Sequence, residues 1–61
     1  MQLIVVQVNG RLRNRIYVSP DASREEVEKA ALSDERIKSF IGDRPVRKVV
    51  VVLGRLVNVV V

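Results

Sequence analysis

The residues best equipped for chemistry in this sequence are its arginines. Arg11, Arg13 and Arg15 alternate along one short stretch, a spacing that in a strand places side chains on one side. Arg44, Arg47, Lys48 and Arg55 form a second set, with Asp43 beside Arg44 as the only local acid. Cations without local partners suit phosphate contacts along a nucleic-acid backbone. Two other readings stay open on charge alone. Charged side chains on an exposed strand block sheet-to-sheet aggregation, and VVVVL and VNVVV are windows that need such protection. An acidic protein surface is the third. Base recognition calls for aromatic platforms, and only Tyr17 is available, because Phe40 fits a helical core face. A reader of RNA shape and backbone therefore fits better than a reader of stacked bases.

Catalysis finds little to work with. The chain has no His and no Cys, which removes the commonest general base and the commonest strong nucleophile. Its hydroxyls are Ser19, Ser23, Ser33, Ser39 and Tyr17, and Ser23 and Ser33 read as helix caps. Glu25 and Lys29, and Asp34 and Lys38, have the i,i+4 spacing of pairs on a solvated helix surface. There is no phosphate-binding glycine loop and no calcium-loop spacing. No catalytic residue, cofactor or metal site is expected.

The element pattern says how the cations are carried. Sixty-one residues make one small domain, which buries only about 60% of the surface its unfolded chain exposes. Val alone supplies 14 positions, and β-branched residues favour strands. Residues 1–20 carry +3, residues 21–43 hold all seven acids and carry −3, and residues 44–61 carry +4. No secretory signal or membrane span is visible, so a cytoplasmic setting is expected.

Asn9-Gly10 between 2–8 and 11–18 is a strong hairpin signal. A two-residue loop would pair Val8 with Arg11. A three-residue loop would pair Val8 with Leu12, gathering Ile4, Val6, Val8, Leu12, Ile16 and Val18 on one side and Arg13, Arg15 and Tyr17 on the other. The second makes the better core and is preferred. Ser23 and Glu26 form a capping box, after which Val27, Ala30 and Ala31 share a helical face. Ile37, Phe40 and Ile41 do the same in a run starting near Ser33 or Asp34, stopped by Gly42 and Pro45. These runs are one bent helix or two. Residues 46–53 and 56–61 flank Gly54-Arg55, read as a two-residue turn. The expectation is an α+β domain of order ββ-α(α)-ββ. Its four-stranded, β-grasp-like sheet has the first and last strands central and the helices on one face.

The residues also carry a resemblance. VQVNGRLRNRI at 6–16 resembles the VQVNGK-[LV]-R segment that opens the C-terminal domain of bacterial leucyl-tRNA synthetases. DASREEVEKAAL at 21–32 and SDERIKSFI at 33–41 are similar to that domain's two helices, and VRKVVVVLGRLVNVVV at 46–61 to its closing hairpin. The resemblance implies a domain tethered by a flexible linker to the synthetase body. Such a domain docks on the outer corner of tRNA(Leu), the elbow where the D and T loops meet, near the long variable arm. It supports leucylation and editing carried out by other domains. The HIGH and KMSKS segments of the catalytic body are absent here. By the same resemblance Arg11, Arg13, Lys48 and Arg55 match basic positions of the family and are expected to touch tRNA. Arg15 and Arg47 join them from charge and alternation. Leu53 stands where the family usually has Pro, so the last turn is expected to differ.

Overall fold

The computed structural model describes residues 1–61. Asn9 and Gly10 both adopt positive φ, 53° and 81°, the combination that lets a two-residue turn follow the twist of its strands. The turn joins β1 (Gln2–Val8) to β2 (Arg11–Val18) and pairs Val8 with Arg11. This corrects the preferred register, in which Val8 faced Leu12. The extra residue lies deeper in the strand. Gln7 pairs with Leu12 and Val6 with Asn14, so Arg13 has no opposite number. Such a bulge offsets the register by one residue. Beyond it Ile4 faces Ile16 and Gln2 faces Val18, returning Ile16 and Val18 to the core side. Leu12, expected in the core, is 47% exposed.

The helices form where the caps predict them, as two. α1 (Arg24–Ser33) starts at Ser23, whose hydroxyl oxygen accepts the Glu26 N–H at 3.2 Å. The Glu26 carboxylate lies 3.3 Å from that hydroxyl, closing the box through the side chain. Asp34 ends α1 and caps α2 (Glu35–Ile41), accepting the Ile37 N–H at 3.1 Å. The same carboxylate oxygen accepts from the Asn14 side chain at 2.8 Å. One acid therefore bends the helical layer and fastens it to the edge strand.

β3 (Lys48–Val52) and β4 (Leu56–Val60) complete the sheet. Val52 faces Leu56, so their loop has three residues, not the expected two. Arg55 N–H donates to the Val52 carbonyl at 3.0 Å, and Gly54 inside that turn has φ 78°, a conformation glycine adopts without strain. The strand order is β2-β1-β4-β3, with β1 and β4 central and parallel, as expected.

Alternation divides the sheet. Ile4, Val6, Val8, Val18, Val57 and Val59 are buried beneath Val27, Ala31, Ile37 and Ile41 of the helices. Phe40, expected in that core, is displaced to its margin and is 39% exposed. The other sheet face has no helical cover, and Leu3, Tyr17, Val50 and Val52 are exposed on it. No helix is long and apolar enough to cross a membrane.

The Asn14 hydrogen bond is the main cause holding the Asp34 carboxyl below its ordinary value of 3.8. The Ile37 and Arg36 N–H groups and the Arg36 charge add to it, and partial burial opposes it. Replacing Asp34 by Ala should cost about 1–2 kcal/mol at pH 7 in denaturant unfolding, since a cap and a tie are lost together. A depressed carboxylate stabilises the fold above its unfolded pKa, and that stabilisation fades as pH falls through the folded value. The wild-type advantage should therefore shrink below about pH 4. An advantage unchanged down to pH 2 would assign the effect to something other than the charged cap.

Candidate nucleic-acid interface

The Asn9-Gly10 turn is held from both sides of its backbone. Asn9 N–H donates to the Val59 carbonyl at 2.8 Å, and the Asn9 side-chain oxygen accepts the Val61 N–H at 2.9 Å. Gly10 N–H donates to the Asn58 side-chain oxygen at 2.9 Å. Arg11 thus leaves a turn anchored to the central strand β4.

The bulge then decides where the arginines go. Arg11 lies opposite buried Val8 and shares its face. Arg13, the extra residue, also points to the helical side, where its guanidinium sits 4.5 Å from the centre of the Phe40 ring, a cation–π distance. Arg15 pairs with Val5 and lies on the open face. The expected single stripe of Arg11, Arg13 and Arg15 is therefore split. Alternation would hold only in an unbroken strand.

Arg44 reaches the same corner from the other direction. Gly42 ends α2 with φ 60°. Two residues on, Arg44 Nε donates to the Ile41 carbonyl at 3.1 Å, and its Nη2 donates to the Phe40 carbonyl. A cation on the terminal carbonyls of a helix is favourably placed, and the double contact fixes the guanidinium. Val8, Asn9, Arg11, Arg13, Phe40 and Arg44 line an open concavity of about 390 Å³. Three guanidinium groups share that wall, and no carboxylate does. Within it Arg13 Nε is buried and has no hydrogen-bond partner. A nitrogen without accessible surface is shielded from an arriving ligand, so what the concavity itself offers is the positive charge of its three arginines.

The remaining expected contacts are distributed by topology. Lys48 pairs with Val60, and Arg47 N–H donates to the Val60 carbonyl at 2.8 Å. Both therefore lie at the sheet end that holds Asn9 and Arg11, about 14 Å across the three strand spacings from β2 to β3. Arg55 lies elsewhere. Its carbonyl accepts the Val5 N–H at 3.1 Å, about 10 Å back along the strands from Val8. The structure thus brings Arg11, Arg13, Arg47 and Lys48 to one end of the sheet. Lys48, paired with Val60 next to buried Val59, lies on the open face with Arg15 and not on the helical side with Arg11 and Arg13. Arg15 and Arg55 sit farther along the strands.

Two members of the corner escaped sequence reasoning. Arg44 belongs to the cation set read from the sequence but is not among the expected tRNA contacts, and its neighbour Asp43 is absent from the concavity wall. Its position just past a helix stop was the usable signal. Phe40 has the spacing of a core residue, and nothing in the sequence marks the bulge that brings Arg13 over it.

No protein-family profile matches the chain. Individual proteins do. The chain is 59% identical to a leucine–tRNA ligase of Syntrophobacter fumaroxidans and 54% identical to one of Geotalea uraniireducens, in each case over 97% of its own length. A leucine–tRNA ligase of Burkholderia pseudomallei is 53% identical over 95% of the chain. The chain spans only about 7% of the length of these relatives. Among solved structures it is similar to part of the ternary complex of Agrobacterium radiobacter K84 agnB2 LeuRS with tRNA and LeuAMS. The TM-score is 0.85 and the identity 26%, over 97% of this chain and 8% of that one. By sequence along nearly all its length and by fold, the chain belongs with a small domain carried within leucine–tRNA ligases.

Proposed function

We propose that this chain is a tRNA-docking domain of a leucyl-tRNA synthetase, placed at the C-terminal end of the parent and joined to it by a flexible linker. Its partner is tRNA(Leu), met at the elbow and near the long variable arm. Leucylation and editing take place in other domains of a cytoplasmic enzyme. The observation that carries this reading is the meeting of Arg11, Arg13 and Arg44 in one concavity without a carboxylate, at the end of the sheet that also presents Arg47 and Lys48. All seven acids lie within residues 21–43. A rigid basic end of this kind suits phosphate oxygens displayed by a folded RNA. Kinship with leucine–tRNA ligases and likeness to a LeuRS crystallised with tRNA support it. Arg15 and Arg55 become peripheral contacts, made only by RNA that extends past this end.

The uncovered sheet face favours a second reading, a protein-interaction module without RNA binding. Leu3, Leu12, Tyr17, Val50 and Val52 are exposed there, and contiguous apolar surface of this kind often marks an interface.

Binding of tRNA(Leu) to this chain should weaken with salt. Each phosphate contact contributes roughly 0.7–0.9 to the log–log slope, so three to five contacts predict a slope of about −2 to −4.5 in filter binding. Affinity indifferent to salt would overturn the docking reading. Reversing charge at Arg11 and Arg13 together should lower affinity at least about tenfold, the loss of a phosphate contact or two. Arg13→Met keeps an apolar stem over Phe40 and removes the unpartnered donor. It should leave unfolding free energy within about 1 kcal/mol of wild type, and a larger fall would make Arg13 structural. Sedimentation without RNA separates the second reading, because only an interaction module should self-associate as concentration rises.

A further inference from the structure

We infer that the concavity beneath the Asn9-Gly10 turn is a seat for one phosphate ester, with room for the nucleotide that bears it. The inference deepens the docking reading by naming the group this corner takes, and its chemistry can be tested without tRNA.

Three features point to an anion of this kind. The first is charge without a partner. Arg11, Arg13 and Arg44 face the same space, and neither Asp43 nor any other acid lines it. A carboxylate from the protein would have completed an ordinary ion pair, and its absence leaves the counter-charge to a ligand.

The second is preorganisation. Arg44 is fixed by two carbonyls at the end of α2, leaving three of its five N–H groups uncommitted. Arg13 is held against Phe40. Arg11 follows a turn fastened at Asn9 and Gly10. Guanidinium groups already positioned lose little freedom when a phosphate oxygen arrives. A tetrahedral phosphate offers several oxygens to groups converging from different elements, whereas a carboxylate offers two in one plane.

The third is size. The concavity is open to solvent and, at about 390 Å³, has more room than inorganic phosphate fills. The exposed part of Phe40 supplies a small apolar wall beside the cations, to which Val8, only 4% exposed, adds little. That combination suits a sugar or base attached to the phosphate.

The test follows arginine Nε–Hε resonances of the labelled chain by NMR at constant ionic strength. Titrants are inorganic phosphate, adenosine monophosphate, adenosine and acetate. Phosphate and adenosine monophosphate should give saturable shifts at Arg13 and Arg44, with the nucleotide binding at least threefold tighter. Adenosine and acetate should give none. Arg13→Met and, independently, Arg11→Gln should each weaken nucleotide binding at least tenfold, while Lys29→Gln, a matched charge loss on α1, should not. Non-saturating shifts, equal effects of acetate, or equal losses in Lys29→Gln would overturn the seat and leave only diffuse attraction of anions. If phosphate fails to bind while tRNA(Leu) binds with the expected salt slope, the seat is wrong and docking stands. If the nucleotide saturates the corner and tRNA does not bind, the seat stands and docking falls.

Discussion

β2 holds one residue more than β1 can pair, and the excess falls at Arg13. Two local preferences conflict there. Asn-Gly enforces a tight two-residue turn, which by itself would set Arg11, Arg13 and Arg15 on the face of Ile4, Val6 and Val8. The core needs Ile16 and Val18 on that face instead. A bulge satisfies both, because it advances the strand by one residue and reverses every side chain beyond it. Its position has a second effect. It sends Arg13 onto Phe40 and leaves Arg15 on the opposite face. The basic corner follows from solving the core's register problem.

The bulge also serves the edge. β2 is an outer strand, with backbone groups open to pairing by another chain. A local kink and flanking arginines discourage that pairing. Edge protection and anion binding, competing explanations on charge alone, are compatible here because one irregularity provides both.

Much of the architecture was legible beforehand because it is written in local rules. Asn9-Gly10, the Ser23 cap, the apolar spacing of Val27 and Ala31, and the stop at Gly42 each act over a few residues, and each forms. The order of strands is that of the β-grasp-like sheet expected for two hairpins flanking a helical segment. What escaped was set by competition between distant parts. Leu12 left the core when the turn kept two residues. Phe40 lies at the margin, while Ile37 and Ile41 of the same helix are the ones buried above the sheet. The loop at Gly54 closed one residue wider than read. For the site, the cation-rich segments were visible, but not which residues meet. Arg44 needed the helix end, and Arg13 needed the bulge.

Pairing the first strand with the last has a temporal consequence. The sheet's centre joins residues about fifty positions apart, as the hydrogen bond from Val61 to Asn9 records. A nascent chain leaving the ribosome can form its first hairpin and both helices, yet these have no complete floor until residues 56–60 emerge. Loop closure over nearly the whole length must precede the contacts that reward it. Closure of the core therefore waits on the last strand. Until then the valines of β3 lack the neighbouring strand that pairs with them.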